Sequence, residues 1–195
     1  MDTVIFDLGK VLVDFDWKAY LKRFAYDIET YHHVADAIFN NEDWIEGDRG
    51  TVINTQEWLN LFIENDPLYE KQIREVYKNL GDTISIMPYT NEWIQYFRKR
   101  QFRIYYLSNY SCELYRQTQK QLQFLKEFDG GIFSWKEKCI KPDKRIYQCL
   151  LDRYQITPEK ALFFDDRQEN IEAAKQMGIQ GVLFKKDIPL QMMGK

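Results

Sequence analysis

The fold of this chain is constrained most by an alternation of short apolar segments with helical patterns. The apolar segments are nearly continuous, as is typical of parallel strands that are covered on both faces. They lie at Thr3–Phe6, Arg103–Leu107, Gly131–Ser134, Ala161–Phe164 and Gly181–Phe184. Apolar residues recur at helical spacing in Asn91–Arg100, Asp143–Tyr154 and Glu169–Met177. Strands that alternate with helices predict an α/β fold with a doubly wound, Rossmann-like parallel sheet.

A helical insertion interrupts this alternation after the first predicted strand. Four helices are predicted in it, at Trp17–Ile28, Tyr31–Asn40, Thr55–Glu64 and Pro67–Leu80. An insertion at this point lies next to the carboxyl ends of the strands, where open α/β sheets bind their ligands. We therefore predict a core domain (residues 1–15 and 82–195) and a helical cap domain (residues 16–81), with hinges at Val13–Asp16 and Gly81–Pro88.

The composition excludes several classes of function. Hydrophobic residues make up 45% of the 195 residues, which is enough for a substantial core. The net charge of −3, without a basic stripe, argues against nucleic acid as a partner. Three cysteines without a CxxC pattern fit a reducing compartment. We find no signal peptide and no apolar run near the ~18 residues of a membrane span, so we expect a cytoplasmic protein with no membrane partner. Nothing in the sequence indicates an oligomeric state.

Polar residues follow four of the predicted strands. They are Asp7 with Gly9 two residues later, Ser108-Asn109, Lys141 and the pair Asp165-Asp166. Because the carboxyl ends of parallel strands lie at one edge of a sheet, we expect these groups to converge.

Each of these groups has a purpose if the substrate is a phosphate ester. Attack by Asp7 on phosphorus forms an acyl phosphate and divides one difficult displacement into two easier ones. A carboxylate is repelled by a phosphate dianion, so cations are needed nearby. Asp7, Asp165 and Asp166 offer the hard oxygen ligands that Mg²⁺ prefers, and Lys141 supplies a second positive charge. The sequence therefore predicts a magnesium-assisted phosphoryl-transfer site.

The remaining groups fit a supporting role. Ser108 can hydrogen-bond a phosphate oxygen, Asn109 can offer its backbone N–H, and the carbonyl of Gly9 can complete a magnesium shell. Taken alone, each group has a purely structural explanation. Asp165 and Asp166, for example, fit the capping of the following helix equally well. Their joint occurrence, in order and at strand ends, favours a catalytic site.

Four motifs resemble those of the haloacid dehalogenase superfamily of hydrolases that use an aspartyl nucleophile. They are VIFDLGKVL, YYLSN, CIKPDKRIY and LFFDDRQEN, and the resemblance covers the whole chain, including the helical insertion. The form of these motifs is most similar to the branch with bacterial α-D-glucose-1-phosphate phosphatases and the phosphatase domain of soluble epoxide hydrolases.

The resemblance implies a role for each matched residue. Asp7 would be the nucleophile, Ser108 a phosphate-binding residue and Lys141 the electrostatic partner of Asp7 and of the phosphate. It also implies Mg²⁺ held by Asp7, the Gly9 carbonyl and Asp166, with Asp165 and Asn170 in or next to that shell.

Gly9 departs from the pattern of the superfamily, because most of its phosphatases carry there a second Asp that protonates the leaving alcohol and then activates water. Loss of this residue forfeits general acid–base catalysis worth roughly 10²–10⁴-fold. Gly9 therefore indicates a leaving group that needs little protonation, such as the anomeric oxygen of a sugar 1-phosphate, or a substitute acid, or weak activity. Substitute acids in the sequence are Asp14, Asp16, Glu46 and Asp48. Arg49 is either a specificity contact or a solvated loop residue, and Lys10 is expected at the exposed mouth of the site.

We predict a Mg²⁺-dependent phosphomonoesterase that acts on small phosphorylated metabolites, with sugar phosphates as one candidate class. Two alternatives stay open. A metal-independent 2-haloacid dehalogenase also uses an attacking Asp, and a departing halide needs no acid, but Asp165 and Asp166 have little purpose beside a carboxylate substrate. A non-catalytic binding protein of the same fold would explain Gly9 but not the presence of the other groups.

Overall fold

The central sheet of the computed structural model, which describes residues 1–194, consists of five parallel strands, and a second sheet has two antiparallel strands. The strands are β1 (Thr3–Phe6), β2 (Val13–Phe15), β3 (Ile84–Ile86), β4 (Arg103–Ser108), β5 (Gly130–Phe133), β6 (Ala161–Asp165) and β7 (Gln180–Leu183). The order in the large sheet is β5-β4-β1-β6-β7. The predicted α/β architecture is confirmed, and all five predicted core strands are present.

Strand β1 lies at the centre of the sheet because both of its edges pair with parallel neighbours. Phe6 is in register with Tyr106 of β4 on one side and with Phe164 of β6 on the other. Phe6 packs into one apolar layer and Ile5 into the layer on the opposite face. Burial on both faces explains the continuous apolar run, and it places the residue after β1 in the middle of the carboxyl edge.

Helices cover both faces of this sheet and form the insertion. They are α1 (Trp17–Lys22), α2 (Ile28–Ile38), α3 (Asp43–Arg49), α4 (Thr55–Asn65), α5 (Glu70–Tyr77), α6 (Thr90–Arg98), α7 (Cys112–Gln117), α8 (Ser134–Glu137), α9 (Lys144–Tyr154), α10 (Gln168–Gln176) and α11 (Ile188–Met193). Short 3-10 segments lie at Pro67–Tyr69, Leu80–Thr83, Gln121–Glu127 and Pro158–Lys160. Within residues 1–194, none of the helices is both long enough and apolar enough to span a bilayer.

The two chain segments that lead into and out of the insertion pair with each other. Strands β2 and β3 are antiparallel, with Val13 opposite Ile86 and Phe15 opposite Ile84. From the sequence these segments were predicted only as hinges, because strands of three residues are too short to show an alternating pattern. Their pairing brings the two ends of the helical insertion together, as expected for a cap on a two-strand connection.

The insertion differs from the prediction at its first helix. A single helix was predicted over residues 17–28, but α1 ends at Lys22 and the chain then turns through Ala25, which has a φ of 52°. The side chain of Asp27 accepts a hydrogen bond from the backbone N–H of Thr30 and caps α2. An Asx cap of this kind favours a new helix over continuation of the old one.

Helix α3 was missed, because Gly47 and Gly50 indicated a turn. Gly47 is instead buried inside the helix, where a Cβ atom would lie 2.4 Å from the indole of Trp58. Gly50 ends the helix with a φ of 77°, and its own Cβ would lie 2.1 Å from the carbonyl oxygen of Trp135. Both glycines therefore permit close packing, which seats α3 against α4 and against the core at α8.

Candidate active site

The carboxyl edge of the sheet brings together the polar residues that follow its strands. Asp7 lies directly after β1, and its backbone N–H donates to the carbonyl of Phe164 in β6 at 2.8 Å. Ser108 and Asp165 are the last residues of β4 and β6, which flank β1. The expected convergence at one edge is therefore present in the fold.

Lys141 joins two of these carboxylates. Its Nζ lies 2.8 Å from Oδ1 of Asp7 and 2.7 Å from Oδ2 of Asp165, and its side chain is 1% exposed. Asn109 holds the backbone of Lys141, because its Oδ1 accepts from the Lys141 N–H at 2.8 Å and its Nδ2 donates to the Lys141 carbonyl at 3.1 Å. The Asn109 side chain thus links the loop after β4 to the loop that carries the ammonium.

The protonation of this group follows from its contacts. Burial acts to lower the pKa of Lys141, but the Asp165 and Asp7 carboxylates outweigh burial and hold the pKa above its usual value, so that the ammonium stays charged. Burial is also the largest influence on the pKa of Asp7. It raises that pKa against the opposing effect of Lys141, and the neighbouring charges of Asp165 and Asp166 add to the rise.

Asp165 is fully buried, and its oxygens are already engaged. Besides Lys141, they accept from the backbone N–H of Arg167 at 2.9 Å and from Nδ2 of Asn170 at 2.9 and 3.0 Å. Oδ1 of Asn170 is buried without a hydrogen-bond partner. A buried acceptor without a donor is costly, so this oxygen is suited to contact a cation or its bound water.

The residues fit a divalent cation. Carboxylate oxygens of Asp7, Asp165 and Asp166 lie within 4.8 Å of one another. Within residues 1–194, the ammonium paired with them is that of the buried Lys141. Three carboxylates around one ammonium leave an excess of two negative charges. Burial and the charge of Asp165 accordingly raise the pKa of Asp166. A hard divalent cation such as Mg²⁺ would neutralise this excess.

A cavity of about 390 Å³ opens between this edge and the helical insertion. Among the residues predicted for the site, those that line it are Asp7, Gly9, Asn109, Lys141, Asp166 and Asn170. Ser108 and Asp165 are buried behind the lining, and the Ser108 hydroxyl makes a long contact of 3.5 Å with the Asn109 carbonyl. The apolar part of the lining is Phe15, Trp44, Ile45, Ile84, Tyr110, Leu114, Ile140 and Pro142.

The backbone conformation at position 9 does not require a glycine. Its φ is not among the positive values, and a Cβ atom at this position would meet no heavy atom within 4 Å. The reason for a glycine is therefore neither strain nor close packing within the described chain. The neighbouring Lys10 is exposed and lines the mouth of the cavity, as the sequence analysis expected.

Asp48 of α3 also lines the cavity, whereas the other acids considered as substitutes do not. Burial and the charge of Asp7 raise the pKa of Asp48 to about 7, against the effects of Lys141 and of a hydrogen bond from the Trp44 side chain. Arg49, its neighbour, is outside the lining and pairs with Glu46 at 3.5 Å. Asp48 was one of the four substitute acids proposed from the sequence. No sequence pattern distinguished it from the other three, because the segment that forms α3 was interpreted as a turn.

Comparisons with known proteins identify the family of the chain. A family model described as haloacid dehalogenase-like hydrolase matches residues 1–178. A phosphorylated carbohydrates phosphatase of Thermotoga maritima is 26% identical over 191 residues, which are 93% of this chain and 84% of the relative. The bifunctional epoxide hydrolase 2 of Rattus norvegicus is 31% identical over 108 residues, which are 55% of this chain and only 17% of that protein.

The fold is also found among solved structures. The HAD family enzyme bt-2542 of Bacteroides thetaiotaomicron, in complex with magnesium and inorganic phosphate, superposes with a TM-score of 0.77 at 18% identity. The match covers 95% of this chain and 94% of that one. At this identity the likeness concerns the fold alone.

Proposed function

The chain belongs to the haloacid dehalogenase-like hydrolase family, and on that premise we propose that it is a Mg²⁺-dependent phosphomonoesterase for small phosphorylated metabolites, including sugar phosphates. The observation that carries the proposal is the ion-pair cluster, in which Lys141 Nζ lies 2.8 Å from Asp7 and 2.7 Å from Asp165. The Thermotoga maritima relative is named as a phosphatase, which supports the same reaction class.

Asp7 is proposed as the nucleophile. It lies at the centre of the carboxyl edge, it lines the cavity, and its Oδ1 is fixed by the backbone N–H of Leu8 at 2.7 Å and by Lys141. An oriented carboxylate of this kind can attack phosphorus in line with the departing alcohol and form an aspartyl phosphate. Hydrolysis of that intermediate then restores Asp7 and releases phosphate.

Lys141, Ser108 and Asn109 are proposed to hold the phosphoryl group. The Lys141 ammonium reduces the repulsion between Asp7 and a phosphate dianion, which is the main electrostatic obstacle to attack. Asn109 keeps Lys141 in place through its two backbone contacts and lines the cavity itself. Ser108 lies one residue before it, where a small movement of its weakly bonded hydroxyl would reach a phosphate oxygen.

Mg²⁺ is proposed to bind Asp7, Asp166 and the carbonyl of Gly9, all of which line the cavity. When bound, the ion would neutralise charge on the transferring phosphoryl group. Asp165, predicted as a ligand, is the best satisfied acid of the cluster, so we propose that it orients Lys141 and the shell rather than contacting the ion. Asn170 supports Asp165 and offers its unpaired Oδ1 to the same region.

The helical insertion, residues 16–81, is proposed to act as a cap that selects the substrate. Three of its side chains, Trp44, Ile45 and Asp48, line the cavity. It is tied to the core where Thr55 Oγ1 donates to Glu113 Oε2 at 2.6 Å. A cap in this position excludes water from the reacting groups.

The test is phosphate release from a panel of esters with Mg²⁺, including p-nitrophenyl phosphate and paired hexose 1- and 6-phosphates. We expect release by the wild type and none by Asp7→Asn, with Asp152→Asn on the outer face of α9 as a matched control. Turnover by Asp7→Asn at the wild-type rate would rule out the proposed nucleophile. A marked preference for hexose 1-phosphates would indicate sugar 1-phosphates as the substrates.

Chelation separates this function from the alternative of a 2-haloacid dehalogenase. The excess of carboxylates beside Asp7 has a purpose around a divalent cation and disfavours a carboxylate substrate by repulsion. We therefore expect EDTA to abolish turnover and excess Mg²⁺ to restore it. Halide release from 2-chloropropionate that persists in EDTA would favour the dehalogenase instead, and no turnover of any ester or haloacid would favour a binding protein.

A further inference from the structure

We propose that Asp48, supplied by the helical insertion, is the general acid and base of the reaction and replaces the carboxylate that is missing at Gly9. The inference rests on the proposed function and adds to it the residue that protonates the leaving group. With Asp48 as the acid, the substrate does not need an acidic leaving group, because an acid from the insertion lines the same cavity as Asp7.

The placement of Asp48 carries the argument. Its helix, α3, begins at Asp43 and ends at Gly50, and Asp48 lines the same cavity as Asp7 and Gly9. Asp7 comes from the sheet and Asp48 from the insertion, so a phosphate ester in the cavity would lie between the two. The nucleophile and the acid must contact opposite sides of the phosphorus in an in-line displacement.

The core holds α3 in this position. The backbone carbonyl of Asp48 accepts a hydrogen bond from Oγ of Ser134, and the same Oγ accepts from the backbone N–H of Tyr110 at 2.9 Å. Gly50 allows α3 to approach the backbone of Trp135 closely. The main chain of Asp48 is thus held from the core side, and Asp48 itself lines the cavity.

The other substitute acids are occupied elsewhere. Asp16 caps α1 by accepting from the N–H of Ala19 at 2.9 Å, and Asp14 accepts from the N–H of Phe15 at 3.0 Å. Glu46 accepts from the hydroxyl of Thr51 and from Arg49. None of these three is among the residues that line the cavity.

The surroundings of Asp48 suit proton exchange at neutral pH. Burial is the largest influence and raises its pKa to about 7, and the charge of Asp7 raises it as well. An acid whose pKa lies near the working pH is present in useful amounts in both forms. Trp44, one turn earlier in α3, lines the same cavity.

In the first step, an oxygen of Asp7 forms a bond to phosphorus while the bond from phosphorus to the ester oxygen breaks. The proton of Asp48 passes to that oxygen, so the alcohol leaves neutral and Asp48 becomes a carboxylate. In the second step, a water oxygen attacks phosphorus while Asp48 takes a proton from that water. The bond to Asp7 breaks, phosphate leaves, and both residues return to their starting forms.

The experiment compares two esters of similar size, p-nitrophenyl phosphate and 2-phenylethyl phosphate, with Mg²⁺ present. Nitrophenol is acidic and leaves without help, whereas the aliphatic alcohol needs a proton. Asp48→Asn should lower kcat/KM for the aliphatic ester by about 10²–10⁴-fold and for the aryl ester by less than about tenfold. It should also release a burst of nitrophenol equal to the enzyme concentration, because hydrolysis of the aspartyl phosphate lacks its base.

Glu46→Gln, on the same helix but outside the cavity, is the matched control and should leave the ratio of the two rates unchanged. The nitrophenol burst and the nearly unchanged kcat/KM for the aryl ester report that the variant is folded. An equal loss on both esters would assign Asp48 a structural role and overturn the proposal, as would an undiminished rate on the aliphatic ester. If the wild type hydrolyses neither ester, the proposed function itself is overturned.

Discussion

The ammonium of Lys141 lies 2.8 Å from Oδ1 of Asp7, and this contact joins the loop before α9 to the end of the central strand. The same ammonium lies 2.7 Å from Asp165 at the end of the neighbouring strand. One buried cation therefore holds two buried carboxylates that would otherwise repel each other. The arrangement supports the fold and leaves the negative charge that we propose a divalent cation to neutralise.

Removing this ammonium should destabilise the protein as well as inactivate it. Lys141→Met leaves Asp7 and Asp165 buried without their partner, which typically costs about 3–5 kcal/mol. Urea unfolding of the variant and the wild type measures the loss, with the exposed Lys144→Met as a control. A variant with unchanged unfolding free energy would contradict the view that the ammonium compensates two buried charges.

Magnesium should stabilise the folded protein through Asp166. At a Mg²⁺ concentration 100 times its Kd, linkage gives about 2.7 kcal/mol of added stability, which thermal unfolding with and without the ion detects. Asp166→Asn removes a proposed ligand and should abolish most of the shift in Tm, whereas Asp152→Asn should keep it. Equal shifts in both variants would show that the ion binds elsewhere.

Restoring a carboxylate at position 9 should compensate for the loss of Asp48. A Cβ at Gly9 has no heavy atom within 4 Å, so Gly9→Asp can be accommodated without displacing the core. In the Asp48→Asn background we expect it to raise kcat/KM for 2-phenylethyl phosphate by about 10²-fold, the lower end of the usual contribution of general acid catalysis. Gly9→Asn introduces a side chain of the same shape without the acid and serves as the control. Equal rates of the Gly9→Asp and Gly9→Asn variants would contradict the idea that position 9 has lost an acid.

Glu113 should make the stability of the protein depend on pH. Burial alone would raise its pKa, but hydrogen bonds from Arg116, Thr55 and Gln117 outweigh burial and lower it below the ordinary 4.5. A lowered pKa stabilises the folded state at all pH values above about 4.5, and that contribution is lost as the pH falls through the folded-state value. Thr55 belongs to the insertion, so the interaction also joins the insertion to α7.

Glu113→Gln should therefore cost about 1–3 kcal/mol of unfolding free energy at pH 7, the usual range for a buried hydrogen-bonded charge. The difference from the wild type should shrink as the pH is lowered below 4.5. Urea unfolding at pH 7 and at pH 3.5 or below measures both values, and the exposed Glu64→Gln is the control. A difference that does not change with pH would exclude the ionised carboxylate as its source.

Much of the fold was predictable, because β1, β4 and β6 are buried on both faces and consequently read as uninterrupted apolar runs. The polar residues that end them, such as Asp7 and Asp165, were predictable for the same reason, since parallel strands present their carboxyl ends at one edge. Short elements and elements that contain glycine could not be predicted in this way. The β2–β3 pair is too short to show a period, and in α3 Gly47 reflects close packing against Trp58 and not a turn.

The sequence by itself determined the order of strands and helices and the identity of the groups at the strand ends, because local apolar patterns and chain connectivity suffice for both. Only the tertiary structure decided which acid from the insertion lines the same cavity as Asp7. That depends on the packing of α3 against Trp58 in the next helix and against Trp135, which is distant from α3 in sequence. Likewise, only three-dimensional proximity shows that Asp165 is already satisfied by Lys141 and Asn170, whereas Asp166 remains available to a ligand.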